Sequence, residues 1–345
     1  MKLYFLSLLI PLFAFLSCRQ VQGPEIEFSL MGGKKLFSLD EATHSYVDDL
    51  NGHKLYIHTF QVDYNEDVRD AVPLSTLPLV RKKETGKKVV PVIKLSNRLF
   101  LQCDSTQLAS LGKRISQHLN LVTDSLSLRE LVVDCEWSPD TREAYFNVLQ
   151  DIRTSYDPGI RELSAVVPLH YFRYQDTVGR PPVDKVFLRL VNTLDIAAYG
   201  ENLSPIEAEF IRPYLMNLMA YGTKVEIMVP LGNWGLLVRN KKPVVAFPTI
   251  TQHEIEGQGE FSQVSNVIKV EENAYFKGQY LRKGDFIRLT PYSNQHIKDL
   301  WNVIKAFNRL DTLDICLVDY DPSFPERYPA SLLKRWFSDL NMTEK

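Results

Sequence analysis

The chain has 345 residues, of which 45% are hydrophobic and 24% are charged, a balance typical of a globular protein. Its 40 Lys and Arg residues nearly match its 42 Asp and Glu residues, which gives a formal net charge of −2 and indicates no basic surface for nucleic acid. The length suits one large α/β barrel, which takes about 250 residues plus insertions.

The first 18 residues have the pattern of an export signal. Lys2 is a short positive segment, and residues 3–16 are almost entirely apolar. This stretch is shorter than the roughly 20 residues of a membrane-spanning helix, which favours a secretory signal. It ends in Phe15-Leu16-Ser17-Cys18, which resembles the lipobox of bacterial lipoproteins, where the Cys is acylated and becomes the new N-terminus.

We therefore expect an exported protein of the bacterial cell envelope, anchored to a membrane through a lipid on Cys18, with residues 19–345 as its folded domain. The alternative is an ordinary signal peptide that contains a Cys. The other cysteines, Cys103, Cys135 and Cys316, are too few for a disulfide framework and lack metal-ligand spacing. We predict no metal and no cofactor.

The mature sequence alternates β-branched runs with helical patterns, which predicts a parallel sheet covered by helices. The predicted strands are near-continuous apolar runs, as in sheets buried on both faces, at 26–30, 54–60, 88–95, 130–135, 163–169, 185–192, 224–230 and 313–318. The predicted helices are at 40–50, 106–120, 139–153, 205–221 and 294–310. Ser138 and Ser204, each followed by Pro, are the predicted N-caps of the third and fourth helices.

Residues 235–288 break this alternation, because they carry hairpin-like runs and no convincing helical pattern. We interpret them as a β-rich insertion between the seventh and eighth strands. The chain is therefore predicted to be one (β/α)8, or TIM-type, barrel of the α/β class over residues 19–345. In such barrels the active site lies at the C-terminal ends of the strands. Candidate substrate-binding residues at those ends are Asp63, His170, Asn192, Trp234 and Tyr320.

Asp134 and Glu136 are the strongest catalytic candidates. Residues two apart on a strand point to the same face, so both carboxylates face the barrel interior if Val132 does, and Cys135 points to the helices. Two carboxylates side by side in a barrel mouth repel, which raises one pKa and provides the protonated acid that glycosidic cleavage needs. The neighbouring Trp137 offers a flat face on which sugars stack. The alternative is a buried acidic pair satisfied by a nearby Arg or Lys.

The segment Val133-Asp134-Cys135-Glu136-Trp137 resembles the end of the D-x-x-D-x-D-x-E motif on strand four of family 18 glycoside hydrolases, the chitinases and endo-N-acetylglucosaminidases. The resemblance implies that Glu136 protonates the glycosidic oxygen and that Asp134 orients the 2-acetamido group, which acts as the nucleophile. The two earlier acidic positions fall on Arg129 and Val132. The family's strand-six M-x-Y-[DN] falls on Arg189-Leu190-Val191-Asn192, which keeps the Asn and loses the Tyr.

Nearly the whole mature sequence also resembles a group of uncharacterised bacterial envelope proteins that are themselves predicted barrels. This chain has Glu136 where that group has Asp, His58 where it has Arg, Gln61 where it has Asp, and Val191 where it has Tyr. The similar segments are 55–57, 60–63, 91–98, 134–137, 141–146, 179–184 and 280–288.

Three functional hypotheses follow. The first is an anchored glycoside hydrolase-like barrel that cleaves an N-acetylated glycan with Glu136 and Asp134. The second is a glycan-binding lipoprotein on the same barrel that does not cleave. The third is a structural envelope protein whose insertion contacts a partner. The missing Tyr and acids favour the second, whereas the acidic pair with Trp137 favours the first.

Overall fold

The structure, a computed structural model, describes residues 25–33, 41–52, 54–79, 88–123, 129–156, 160–190, 208–216, 221–230, 233–250, 252–256, 258–290, 294–307, 312–318, 320 and 324–338. The predicted signal segment with Cys18, the candidate Asn192 and the predicted cap Ser204 lie outside these residues.

The strands, numbered in chain order, are β1 (Glu25–Gly32), β2 (Lys54–Asn65), β3 (Asp70–Leu74), β4 (Lys88–Leu95), β5 (Glu130–Asp134), β6 (Glu162–Pro168), β7 (Lys185–Arg189), β8 (Lys224–Pro230), β9 (Asn233–Arg239), β10 (Lys242–Ile250), β11 (Phe261–Val264), β12 (Val267–Val270), β13 (Ala274–Phe276), β14 (Gln279–Leu281), β15 (Phe286–Thr290) and β16 (Thr312–Val318). The helices are α1 (Glu41–Asp49), α2 (Asn97–Gln102), α3 (Ser105–Val122), α4 (Arg142–Ser155), α5 (Leu169–Arg173), α6 (Gln175–Val178), α7 (Ala208–Leu215), α8 (Gln252–Ile255), α9 (Asn294–Phe307), α10 (Phe324–Arg327) and α11 (Ala330–Ser338).

Eight of these strands form a closed parallel barrel in the order β1-β16-β8-β7-β6-β5-β4-β2. The ring closes because β1 pairs in parallel with both β16 and β2. Each barrel strand coincides with one predicted from the sequence, so the (β/α)8 prediction is confirmed. The short strand β3 was not predicted. It pairs antiparallel with the end of β2 and carries Pro73 at the sheet edge, where Pro is tolerated.

The barrel strands bury both of their faces. The outward side chains pack with the helices in the main core. The inward side chains form a separate apolar layer that fills the barrel, and its members are Met31, Tyr56, Val90, Val92, Val132, Val166, Phe187, Met228, Cys316 and Val318. Polar side chains on the inner face are therefore confined to its two ends, and the end where the strands terminate is the mouth.

The five helices predicted from the sequence overlap α1, α3, α4, α7 and α9. Asp104 caps α3 with a complete capping box, in which Gln107 bonds back to the Asp104 backbone, so the predicted helix at 106–120 is confirmed. The predicted helix at 40–50 is α1, and that at 294–310 is α9 as far as residue 307. No helix in the described part of the chain is long and apolar enough to cross a membrane.

The predicted start of α4 at Pro139 is wrong. The segment from Ser138 to Thr141 is a turn, in which the Thr141 amide donates to the Ser138 carbonyl at 3.1 Å and the Ser138 amide donates to the Thr141 hydroxyl oxygen at 2.8 Å. Thr141 is the cap residue, and its side chain makes no cap hydrogen bond. Its hydroxyl donates to Asn97 Oδ1 instead, at 2.6 Å. A tertiary contact therefore replaces the local cap.

The insertion is β-rich, as predicted. It forms a five-stranded antiparallel sheet in the order β10-β9-β15-β12-β11 and a hairpin of β13 and β14. Lys277 and Gly278 join that hairpin with positive φ angles of 48° and 80°, the geometry of a two-residue turn that follows strand twist. Phe276 of the hairpin packs on Phe247 and Phe261 in the insertion's own apolar cluster. The single turn α8 was not predicted.

Candidate functional site

The inner face of β5 carries the predicted acidic pair to the mouth. Val132 belongs to the apolar layer inside the barrel, and Cys135 belongs to the core between strands and helices. The alternation expected from the sequence is therefore observed. Asp134, the last residue of β5, has a side chain only 8% exposed, whereas that of Glu136, beyond the strand end, is 65% exposed. One carboxylate is buried under the mouth, and the other is open to solvent.

A guanidinium joins these two carboxylates. Arg189 donates from Nη2 to Asp134 Oδ2 at 2.8 Å and from Nη1 to Glu136 Oε1 at 2.7 Å. Arg189 ends β7, and β6 lies between β7 and β5, so the side chain reaches across one strand to make both contacts. The expected repulsion within the acidic pair is thus offset by a cation, as the alternative hypothesis proposed. The structure differs from that alternative in one respect: Glu136 is exposed, whereas the alternative had both carboxylates buried.

The two ion pairs of Arg189 differ in strength. Separating partners in a buried pair costs about 3–5 kcal/mol, because a charge is left without water or a counterion. Exposed pairs contribute about 0–1 kcal/mol. Arg189 is 24% exposed, so its contact with buried Asp134 belongs closer to the first case and its contact with Glu136 to the second. The Asp134 contact fixes the guanidinium, and the Glu136 contact can exchange.

Lys94 adds a second cation at the mouth. It follows Val90 and Val92 on the inner face of β4, and it lies in register with Asp134 on β5. Its side chain is exposed. The inner rim at β4, β5 and β7 therefore carries two cations beside the two carboxylates that the sequence predicted.

Trp137 does not provide the sugar-stacking face that we expected. It is 1% exposed, stacks on Tyr145 with ring centroids 5.1 Å apart, and meets Tyr171 edge-on at 4.6 Å. Its indole N–H donates to the Val178 carbonyl at 2.7 Å. The alternation that directs Glu136 inward directs Trp137 outward among the helices, so its role is in the core.

Trp234 and Tyr320 are also core residues. Trp234 is 1% exposed, in the main apolar core. Tyr320 is 7% exposed; its hydroxyl pairs with that of Thr43 at 2.8 Å, and its ring packs against Phe324. Both were expected to bind substrate because they follow strands. Strand ends in this barrel also hold the aromatic contacts with the helices, which explains the error.

His170 and Asp63 lie at strand ends but already have protein partners. Burial lowers the pKa of His170 to about 4, and its ring meets Tyr171 edge-on at 4.4 Å. Asp63 accepts hydrogen bonds from Ser96 and Arg98. Burial raises the pKa of Asp63, but these bonds outweigh burial and lower it overall. Neither contacts Asp134 or Glu136 through a hydrogen bond or ion pair of the described residues.

No protein-family model matches the chain, and no curated protein matches it. Its fold is similar to that of the spore cortex-lytic enzyme SleL of Bacillus cereus, with a TM-score of 0.51 and 13% identity over 93% of this chain and 75% of that one. It is equally similar to a family GH18 chitinase of Cycas revoluta in a complex with allosamidin, with a TM-score of 0.52 and 13% identity over 91% and 99% of the two chains. The C-terminal domain of a putative chitinase from Desulfitobacterium hafniense gives 0.50 and 11% over 93% and 100%.

The chain has the barrel fold of the family 18 chitinases. The distant similarity inferred from the strand-four motif is thus confirmed at the level of fold, and identities this low establish no reaction. The resemblance to the uncharacterised envelope proteins stays a prediction.

Two residues of the mouth, Arg189 and Lys94, were not among the site residues predicted from the sequence. A signal for Arg189 existed, since Lys185, Phe187 and Arg189 alternate on one face of β7, and Phe187 faces the barrel interior. Arg189 also occupies the Met position of the family 18 strand-six motif. Within the described residues, no group of three or more His, Cys, Asp or Glu side chains could hold a metal ion.

Proposed function

We propose that the chain acts on an N-acetylated glycan at the barrel mouth, with Glu136 as the proton donor and Asp134 as the assisting carboxylate. The observation that carries this proposal is the position of Glu136. Its carboxylate is 65% exposed at the C-terminal mouth, and it shares a cation with the buried carboxylate two residues earlier. The names of the fold neighbours, chitinases and a spore cortex-lytic enzyme, support a glycan as ligand.

The chemistry follows the resemblance to family 18. As the bond between the anomeric carbon and the glycosidic oxygen breaks, Glu136 gives its proton to the leaving oxygen, and the oxygen of the substrate's own 2-acetamido group bonds to the anomeric carbon. The new bond closes a five-membered ring between the acetamido group and the sugar. Water then attacks the anomeric carbon, which opens that ring, and gives a proton to Glu136. Asp134 orients the acetamido group. For this step Glu136 must leave Arg189 and carry a proton when it meets the glycosidic oxygen.

A second candidate function is glycan binding without cleavage. It is favoured by the ion pair between Arg189 and Glu136, which engages the proposed acid, and by Val132, which places an apolar side chain where the family motif has an acid. Both candidates use the same mouth and the same ligand class. They differ only in whether Glu136 leaves Arg189 and can donate a proton to the glycosidic oxygen.

One comparison separates them. The purified chain and its Glu136→Gln variant are tested with chitin oligomers, N-glycans and peptidoglycan fragments, and binding and reducing-end release are measured together. Release by the wild type that is lost in the variant, with binding kept, supports cleavage. Binding without release supports the second candidate, and no binding to any glycan contradicts both. Glu143→Gln is the matched control, because Glu143 lies on α4 with its side chain 85% exposed.

We also propose that a lipid on Cys18 anchors the protein to a membrane of the bacterial envelope. The support is the sequence pattern of residues 1–18, in which an apolar export signal is followed by Cys18, the residue that would be acylated. A Cys18→Ser variant is expected to leave the membrane fraction and to lose the mass of the acyl chains. A variant that keeps the wild-type fractionation and mass would contradict the anchor.

A further inference from the structure

We infer that Arg189 is a ligand-binding residue, which takes the carboxylate of an acidic N-acetylated glycan in place of Glu136. The inference rests on the proposed function, because it names the substrate class of the same mouth. It concerns a residue that neither the acidic motif nor the fold assigns a role.

The unequal surroundings of the two ion pairs are the first argument. Arg189 holds Asp134, which is 8% exposed, and Glu136, which is 65% exposed, at almost the same distance. Loss of the Asp134 contact would leave a buried charge without a partner. The Glu136 side chain can rotate into solvent at little cost, because water replaces the hydrogen bond that the guanidinium donated. The contact of Arg189 with Asp134 is therefore kept, and a carboxylate from solution can replace Glu136 at Nη1.

The chemistry of the guanidinium is the second argument. It is planar, remains charged, and presents paired N–H groups that match the two oxygens of a carboxylate. Glu136 already demonstrates that a carboxylate fits at Nη1, at 2.7 Å. Lys94 brings another positive charge to the inner rim on β4, in register with Asp134. A carboxylate that replaces Glu136 would thus restore the ion pair of Arg189 on a rim that also carries Lys94, whereas an uncharged sugar that reached Arg189 would break that ion pair without replacing it.

Displacement links ligand choice to the proposed chemistry. When a ligand carboxylate occupies Arg189, Glu136 loses its partner and its side chain is free to reach the glycosidic oxygen. Neutral chitin oligomers leave the pair of Arg189 and Glu136 intact. Acidic glycans are therefore expected to bind more tightly than neutral ones and to be the better substrates.

The test uses two matched pairs of ligands, because a carboxylate on such a glycan has two chemical sources. One pair is an oligosaccharide of alternating N-acetylated sugar and hexuronic acid, with its methyl ester. The other is an oligosaccharide whose N-acetylated sugar carries an ether-linked lactyl group, with its methyl ester. Titration calorimetry of the full chain in detergent is expected to give an acid that binds about 10- to 100-fold more tightly than its ester in at least one pair. The pair that shows this preference identifies the source.

Three variants assign the preference to its residue. Arg189→Met is expected to reduce the acid-over-ester preference to about 2-fold or less, and Arg189→Lys is expected to retain part of it. Arg153→Met is the matched control, since Arg153 pairs with Asp184 on the outside of the barrel. Glu136→Gln removes the competing carboxylate and is expected to tighten acid binding several-fold relative to ester binding, which keeps the test decisive if Arg189→Met does not fold.

The outcomes separate this inference from the proposed function. Equal affinity for acid and ester in both pairs overturns the inference alone, as does a preference that survives in folded Arg189→Met. Unchanged acid affinity in Glu136→Gln also overturns it, because no competition with Glu136 would then exist. Failure of all four ligands to bind contradicts the proposed function itself and removes the basis of the inference.

Discussion

Replacing Lys185 with Met is expected to destabilise the barrel far more than the loss of a surface ion pair would. Lys185 begins β7, at the end of the barrel opposite the mouth, and its Nζ lies 2.9 Å from both Glu162 Oε1 and Glu226 Oε2 and 3.0 Å from the Tyr56 hydroxyl. The side chains of Lys185 and Glu226 are 3% and 5% exposed. Water therefore cannot replace Lys185 beside Glu226, or Glu226 beside Lys185.

Two estimates of the cost agree within a factor of two. Removing one partner of a buried pair costs about 3–5 kcal/mol. Among the described residues, Glu226 would keep the hydroxyls of Ser29 and Tyr56, which places the loss near the lower end of that range. Independently, burial lowers the pKa of Lys185, but Glu226 and Glu162 outweigh it and raise the pKa from 10.5 to about 12. A shift of that size corresponds to about 2 kcal/mol. We expect a loss of about 2–3 kcal/mol.

The pH dependence supplies a second readout. Because the folded state raises the pKa of Lys185, its contribution is complete below about pH 10.5 and is lost as the pH rises through about 12. The difference in unfolding free energy between wild type and Lys185→Met, measured by urea unfolding with tryptophan fluorescence, should thus be smaller at pH 11 than at pH 9. Arg153→Met is the control, and its exposed pair with Asp184 should cost no more than about 1 kcal/mol.

A Lys185→Met variant within 1 kcal/mol of wild type at pH 7 would refute this reasoning. A double variant, Lys185→Met with Glu226→Leu, tests the cause. If the cost comes from the unpaired carboxylate, removal of both charges should recover most of the lost stability, because an apolar pair has no charge to desolvate.

The other predictions concern packing and acid sensitivity. Gly112→Ala should cost about 1–3 kcal/mol in urea unfolding, because overpacking is destabilising and the new Cβ would lie 2.3 Å from Asp151 Cβ, which forces α3 and α4 apart. Burial lowers the pKa of His170 from 6.5 to about 4. Between these pH values the unfolded chain binds a proton at His170 and the folded chain does not, so the free energy of unfolding should fall as the pH drops from 6.5 to about 4. Melting temperatures of His170→Gln at pH 7 and pH 4.5 should differ less than those of wild type. Hydrogen bonds from Arg239 lower the pKa of Asp285, so its contribution is present at neutral pH and lost in acid. Asp285→Asn should therefore speed proteolysis of the insertion at pH 7, and equal rates in variant and wild type would contradict this.

The strands of the barrel could be predicted because their signal is local. Buried parallel strands are near-continuous apolar runs, and each of the eight produced such a run whatever its neighbours were. The start of α4 could not be predicted this way. Ser138 followed by Pro139 is a good local cap signal, but Asn97, distant in sequence, holds the Thr141 hydroxyl and sets the turn.

The candidate site likewise has residues that a local pattern predicts and residues that it does not. Alternation along β5 correctly directed Asp134 inward and Cys135 outward, and the same rule, extended by two residues, would have directed Trp137 into the core. Tyr320 and Trp234 satisfied the rule that site residues follow strands, but strand ends also carry the contacts between strands and helices. Position along the chain does not distinguish these two roles.

The sequence by itself determined the order of strands and helices, the place of the β-rich insertion and the inward direction of the acidic pair, since each depends on a period within a few residues. Only the tertiary structure decided what the pair faces. Arg189 is 53 residues from Glu136 along the chain, and the pairing of β6 with both β5 and β7 brings its guanidinium within reach of both carboxylates. Electrostatic partners depend on distance in space, which a linear pattern does not record, and the chemistry of the mouth follows from that one contact.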